Sequence, residues 1–182
     1  NAALDANTTA DNNVALGYNS ATANTTGATN VSVGSESFAT NTTGSSNTAL
    51  GHAALYSNTT ASNNTAVGRD ALVANTTGAT NTAVGSGSLD SNTTGSYNTG
   101  VGYDSLTGIT TGQQNTSIGY AAGQGCTGAS SFNVAVGDET LNTSGEKSYN
   151  TAIGSDAMRA TTTGSANVGV GYNSLAALTT GA

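Results

Sequence analysis

The chain has 182 residues with a formal net charge of -7; 7% of its residues are charged and 35% are hydrophobic. It contains two Phe, no Trp and no Pro, so an ordinary globular core is poorly supplied. Arg69, Lys147 and Arg159 are the only basic residues besides one His, whereas a protein that follows a nucleic-acid backbone needs clustered Lys or Arg. Composition therefore argues against nucleic-acid binding and leaves a repeat protein or a disordered Asn/Thr/Gly/Ser tract.

A five-residue pattern, typified by residues 81–85 with the sequence NTAVG, recurs along the chain. If its Asn is position 1, ten copies follow one another at intervals of 17 residues, with one interval of 18. The copies begin at Asn13, Asn30, Asn47, Asn64, Asn81, Asn98, Asn115, Asn133, Asn150 and Asn167. Such a period predicts one structural unit stacked on itself. A disordered chain would have no reason to place aliphatic residues at the same position of every repeat.

The 17 positions differ in the variation they accept. Position 5 is Gly in all ten copies, which predicts a turn with positive φ. Position 4 is Val, Leu or Ile in every copy, from Leu16 to Val170, and we interpret it as the buried column. The run Thr/Val, small residue, Val/Ile/Leu is typical of a short strand, and no segment has helical spacing. We therefore predict an all-β parallel solenoid of about ten coils, with two or three strands per coil and residues 1–182 as a single domain.

A second motif, Asn-Thr-Thr, recurs as far as Asn92 and then degrades. Its triplets are formal N-glycosylation acceptors, but we favour stacked Asn and Thr side chains that bond along a column. The two coils between about 121 and 149 are irregular, and we expect a loop to bulge there. Cys126 lies in this stretch, and we interpret it as a loop thiol without special reactivity.

The sequence shows no catalytic, cofactor-binding or metal-ligating constellation. One His and one Cys lie far apart, and no carboxylate occupies the fixed column that a calcium-binding solenoid requires. The adjacent Asp138 and Glu139 are expected to diverge in a solvated turn rather than to act as an acid and base pair. We predict a protein that is not an enzyme and uses no cofactor and no metal.

Two sets of residues suggest contact surfaces. Position 6, directly after the glycine, holds Tyr18, Tyr103, Tyr120 and Tyr172, and position 17 adds Tyr97 and Tyr149. We predict that these rings are exposed, either as a binding surface or as shields of the turns. Position 3 holds only Ala, Ser or Gly, although a solvent-facing column would be expected to admit Lys or Glu. This predicts close packing against a second chain through Ala49, Ala66, Ala83, Gly100 and Ser117.

The unit at residues 64–71, NTAVGRDA, resembles the head repeat of trimeric autotransporter adhesins of the YadA type. The longer form with Asn-Thr-Thr-Gly resembles arrays in phage tail fibres and large bacterial surface proteins, and the resemblance covers essentially the whole chain. It implies a left-handed parallel β-roll, side-by-side association of three chains, and a rod that binds a host surface, glycan or matrix protein or holds a binding tip away from the cell or virion. The coil is longer here than is usual in that family.

We therefore expect an extracellular, homotrimeric β-solenoid from a longer fibre, at a cell surface or on a virion. The sequence contains no signal peptide and no apolar run of about 18 residues, so no membrane insertion is expected. An ice-binding solenoid is one alternative, although ice binders usually show Thr-x-Thr, and the adjacent Thr25 and Thr26 must point to opposite faces. End-to-end polymerisation into a filament is another, because open solenoid ends expose unpaired strand edges.

Overall fold

The computed structural model describes residues 3–143, 145–177 and 180. Ten strands of three residues form one parallel sheet in sequence order, and no helix occurs among the described residues. The strands are β1 Val14–Leu16, β2 Val31–Val33, β3 Thr48–Leu50, β4 Thr65–Val67, β5 Thr82–Val84, β6 Thr99–Val101, β7 Thr116–Ile118, β8 Val134–Val136, β9 Thr151–Ile153 and β10 Val168–Val170. The predicted all-β parallel solenoid is confirmed.

Each strand lies beside the equivalent residues of the neighbouring coils. Thr82 pairs with Thr65 on one side and with Thr99 on the other. The interval of 18 residues does not disturb this register, because Thr116 still pairs with Val134. Equivalent positions therefore form columns, and ten coils about 4.8 Å apart make a stack roughly 45–50 Å long.

Each coil contains one strand, and turns and bends make up the rest. These turns also bond from coil to coil: Leu55 N donates to Ala71 O over 3.0 Å, and Thr76 N donates to Thr93 O over 2.9 Å. The expectation of two or three strands per coil is wrong, because residues with positive φ at positions 7, 9 and 17 interrupt the extended backbone that a further strand would need. The bonds between turns still satisfy backbone groups that a buried turn would otherwise leave unpaired.

The core is formed by positions 3, 8 and 9 and not by position 4. Ala83 is fully buried, whereas its neighbour Val84 keeps 36% of its surface exposed. Successive strand residues point to opposite faces, so positions 2 and 4 must point outward when position 3 points inward. The prediction that the aliphatic column at position 4 is buried is therefore wrong. The large core residues are those at position 9, Phe38, Leu55, Leu72, Leu89, Leu106, Leu141 and Met158.

The thin interior of the coil explains the small residues at position 3. A Cβ added to Gly100 would lie 2.6 Å from Ser88 Oγ and 3.3 Å from Leu89 Cγ, on the opposite wall of the solenoid. Ser32 Oγ is likewise hydrogen-bonded to Ser37 Oγ across the interior, over 2.6 Å. A close-packed interior of this width has no room for Val. The predicted contact with a second chain through Ala49, Ala66, Ala83, Gly100 and Ser117 is wrong, because all five are buried within their own chain.

The positive φ predicted for the glycines at position 5 is confirmed, with values from 119° at Gly171 to 142° at Gly34. Close stacking gives a second reason for glycine, because a Cβ on Gly85 would lie 2.2 Å from Gly102 O. Positions 7, 9 and 17 also have positive φ without being restricted to glycine. Leu72 at position 9, for example, has a φ of 52°. Left-handed residues of this kind are uncommon, and here they turn the chain around each coil.

The irregular coils between 121 and 149 stay in the stack at the described residues. Gly123 N donates to Thr140 O over 2.8 Å, and Leu141 is fully buried. The extra residue is accommodated near Gly128, whose φ is 57° and whose carbonyl accepts the amides of residues 110–112 over 3.0 to 3.1 Å. The expected bulging loop is therefore replaced by a tighter local turn.

The position of the core can be tested by placing the same side chain at positions 3 and 6. We expect Ala83→Lys to destabilise the protein by about 3–5 kcal/mol, because a long charged side chain would enter a filled interior. Ser86→Lys is the matched control and should change stability by less than about 0.5 kcal/mol, since Arg69 already occupies position 6 elsewhere. Urea unfolding measures both. Equal shifts in the two variants would contradict the inward orientation of position 3.

Two glycines on the same turn provide a second test. Gly85→Ala should cost about 2–4 kcal/mol, because it combines a φ of 135° with a clash against the next coil. Gly87→Ala should cost less than about 1 kcal/mol, since Ala53 and Ala121 occupy the same position with φ of 53° and 49°. Thermal unfolding of both variants gives the comparison. A similar loss at both glycines would mean that coil stacking does not determine the residue at position 5.

Candidate functional site

Positions 2 and 4 of the ten strands form a continuous outward surface, called here the aliphatic face. Position 2 is Thr or Val, position 4 is Val, Leu or Ile, and neither column contains a charged residue. Its most exposed members keep between 36% and 69% of their surface in solvent; they are Val14, Leu16, Val84, Ile118, Ile153, Val168 and Val170. Contiguous apolar surfaces of this extent are typical of interaction sites.

Aromatic residues flank the aliphatic face on both edges. Tyr18, Tyr103, Tyr120 and Tyr172 at position 6 expose 52% to 78% of their surface, which confirms that these tyrosines lie in solvent. The other edge is position 17, directly before the Asn, where Tyr97, Phe132 and Tyr149 are also exposed. The suggestion that the tyrosines form a binding surface stays a prediction.

Two aromatic pairs stack between adjacent coils. The rings of Tyr103 and Tyr120 have centroids 5.7 Å apart and planes 8° apart. The rings of Phe132 and Tyr149 have centroids 4.9 Å apart and planes 3° apart. Phe132 is not among the aromatic residues predicted from the sequence to be exposed, although its spacing of 17 residues from Tyr149 was a usable signal. Both stacks belong to the coils of β6 to β9, so this part of the rod has aromatic side chains on both edges.

Buried asparagines form two ladders inside the solenoid. At position 1, Asn30 Nδ2 donates to Gly44 O over 2.9 Å, and Asn30 Oδ1 accepts the backbone N–H of Asn47 over 2.9 Å. At position 12, Asn58 Nδ2 donates to Asn41 Oδ1 over 3.0 Å. The predicted column of stacked polar side chains is confirmed. Because these amides are buried, the folded coil does not offer the acceptors Asn24, Asn41, Asn58, Asn75 and Asn92 for glycosylation.

The ladder at position 12 ends at Asn92, because Ile109 and Cys126 occupy the next two coils. Asn92 Oδ1 is consequently buried without a hydrogen-bond partner. Cys126 is fully buried in this column, so its interpretation as a loop thiol is wrong. Burial raises the pKa of its thiol to about 11, which disfavours the thiolate that nucleophilic chemistry needs.

A buried lysine lies in the part of the rod where position 12 no longer holds Asn. Lys147 occupies position 15, where most coils have Gly, and its ammonium donates to Thr143 O over 2.5 Å and to Thr161 O over 2.6 Å. These are backbone acceptors in two successive coils, so the ammonium links the coils much as the Asn amides do elsewhere. Burial lowers the pKa of Lys147, since the charged form is separated from water.

The acidic residues do not converge on a reactive group. Glu139 pairs with Arg159 over 2.6 Å, whereas its neighbour Asp138 is exposed, so the two carboxylates diverge as predicted. Across residues 3–143, 145–177 and 180 there is no cluster of His, Cys, Asp or Glu able to hold a metal ion, and no enclosed pocket. The same residues include no helix long and apolar enough to cross a membrane.

Comparison of the chain with protein-family models, with curated proteins and with solved structures gave no match. The resemblance to YadA-type head repeats therefore depends on the repeat pattern alone, and membership of that family stays a prediction. The exposed surfaces described above are accordingly the basis for a proposal about function.

The Asn ladder can be tested at a single position. Asn58→Ala should destabilise the protein by about 2–4 kcal/mol, because it removes bonds to Asn41, Ala61 and Asn75 and leaves buried polar atoms unpaired. Thr60→Ala, two residues away at the exposed position 14, should change stability by less than about 0.5 kcal/mol. Denaturant unfolding compares the two. A neutral Asn58→Ala variant would show that the ladder contributes specificity rather than stability.

Proposed function

We propose that this chain is a non-enzymatic segment of an extracellular fibre, at a cell surface or on a virion, that projects or provides a binding surface. We further propose that copies of the chain associate side by side through the aliphatic face. One observation carries the proposal: an uncharged surface of β-branched and Leu side chains follows the rod through all ten coils, on a chain whose core is complete without it.

The construction of the rod suits a shaft. Coils bond to their neighbours around the turns as well as through the strands, so each coil is held to the next at several points of its path. Repeat stacks of this kind extend in one dimension and expose long surfaces for their size. A rod of this kind holds the parts of a fibre at its two ends apart. It also presents the same surface feature once in each coil.

The size of the aliphatic face fits a partner of the same kind. A face about 48 Å long and two side chains wide covers roughly 600 Å² at ordinary strand and residue spacings. Specific interfaces bury about 1,200–2,000 Å² in total, and two such faces together supply about 1,200 Å². Cyclic symmetry about an axis parallel to the rods would place equivalent coils at equal height. Three chains and a left-handed roll are what the family resemblance implies, and both stay predictions.

Ice binding is a second candidate, and a specific observation favours it. Six coils carry Thr at position 2, so their strands present Thr-x-Val, Thr-x-Leu or Thr-x-Ile outward: Thr48, Thr65, Thr82, Thr99, Thr116 and Thr151. In the Asn-Thr-Thr element, by contrast, Thr25 Oγ1 donates a hydrogen bond to Thr42 O in the next coil. A regular array of hydroxyl and methyl groups on a flat sheet suits an ordered water layer. This role requires the aliphatic face to be free.

Light scattering of the parent chain and of two double variants tests the proposal. We expect a parent mass of two or more times 17.6 kDa and a single-chain mass for Val84→Lys/Val101→Lys, because two ammonium groups would have to be buried in the interface. Thr77→Lys/Thr94→Lys, at exposed position 14, is the matched control and should keep the parent mass.

A parent that stays at the mass of one chain at all concentrations would refute self-association. Thermal hysteresis of that monomer then tests the second candidate. Ice binding predicts hysteresis in the parent that Val84→Lys/Val101→Lys abolishes and that Thr77→Lys/Thr94→Lys retains.

A further inference from the structure

Five exposed aromatic residues are concentrated in one part of the rod. We call Tyr97, Tyr103, Tyr120, Phe132 and Tyr149 the aromatic strip; their exposed fractions range from 43% to 62%. They flank β6 to β9, on both edges of the aliphatic face. The fold does not require rings at these positions. Equally regular coils have Ser35 and Ser86 at position 6, and Thr29 and Ser46 at position 17.

The strip is pre-organised for contact. Its two stacks hold four of the five rings in parallel pairs, so little side-chain freedom remains to be lost on binding. Because the stacked rings are related by one coil, the end rings of each stack direct a free face along the rod. The next residues in the two columns are Ser86 before Tyr103 and Ala166 after Tyr149, and their short side chains leave those faces uncovered.

The charges around the strip disfavour the binding of anionic ligands. Lys147 is buried, and Arg159 is engaged by Glu139 and Asp156. The exposed charge next to Tyr120 in the position 6 column is the carboxylate of Asp138. Nucleic acids and sulfated or sialylated polymers would therefore meet rings and a negative charge without a paired cation.

The uncharged groups around the strip suit a polyol. Ser86 precedes Tyr103 in the position 6 column, and Gln114 lies between Tyr97 and Phe132 in the position 17 column. Hydroxyl and amide groups beside exposed aromatic faces are what sugar rings require, because the C–H face of a pyranose stacks on an aromatic ring while its hydroxyls need hydrogen bonds.

We infer that the aromatic strip binds a neutral glycan, one sugar ring of which stacks on the free face of an end ring. This inference rests on the proposed role as a binding segment and names its ligand class. A second copy of the chain is the less suitable occupant, because the strip covers only the coils of β6 to β9, whereas the aliphatic face extends along all ten strands.

Calorimetric titration with defined oligosaccharides tests this site. The probes are cellohexaose, chitohexaose and maltohexaose, with a heparin hexasaccharide as the anionic comparison. We expect the full chain to bind at least one neutral probe and to bind the heparin probe more weakly. Tyr103→Ser/Tyr120→Ser and Tyr97→Ser/Phe132→Ser/Tyr149→Ser should each raise Kd tenfold or more. Ser is already found at both positions in other coils, so these variants should stay folded.

Tyr18→Ser/Tyr172→Ser is the matched control, because it removes the same residue type from the same column outside the strip. Its Kd should equal that of the parent. The inference is overturned if no neutral probe binds, if the heparin probe binds tighter, or if the control loses as much affinity as the strip variants. Light scattering on the same samples keeps the two proposals apart: a monomeric parent that binds glycan refutes self-association alone, and an oligomer that binds none refutes the glycan site alone.

Discussion

The short distance between the two walls of each coil is the constraint on which the rest of the structure depends. Position 3 contacts positions 8 and 9 across an interior in which a Cβ on Gly100 would already come within 2.6 Å of Ser88. Only Ala, Ser or Gly fits on the strand side, so Leu, Phe or Met at position 9 supplies most of the buried apolar volume. Larger β-branched residues are thereby restricted to the outside of the strand. The aliphatic face is a consequence of this geometry, and it gives the chain an apolar surface of fixed width along its length.

Polar side chains complete an interior that apolar residues alone cannot fill. The asparagines at positions 1 and 12 are as deeply buried as the leucines, and they bond to one another and to backbone carbonyls at every step. A chain that is 35% hydrophobic can therefore fold without a large apolar core. Where this pattern ends, between Asn92 and Thr161, the column contains Ile109 and Cys126, and the ammonium of Lys147 bonds across the coils nearby. Irregularity in the sequence thus corresponds to a change of side-chain chemistry inside the rod, and the backbone stack continues through it.

The period, the fold class and the conformation of the position 5 glycines could all be predicted from the sequence. Each depends on a residue type that recurs at a fixed interval, and Gly85 is restricted in the same way in every coil. The orientation of the strand could not be predicted from alternation, because a period of two fits either phase. Val84 is more hydrophobic than Ala83 and was therefore predicted to be the core residue. The interior of the coil has room only for the smaller side chain, so Ala83 is buried instead. The exposure of Tyr103 followed from its place after the turn, but its stacking on Tyr120 depends on distances between coils that no single repeat contains.

The straight columns also determine how the rod would respond to tension. Each strand contacts only the strands before and after it, and the bonds between coils run along the stacking direction. A pull on the two ends of the stack therefore loads the coils in series, and the least stable one opens first. One released coil of 17 residues can extend to about 55 Å, against about 4.8 Å when folded, so it would add about 50 Å of length. A tether built in this way lengthens in discrete steps under load and dissipates work at each step while its remaining coils stay folded.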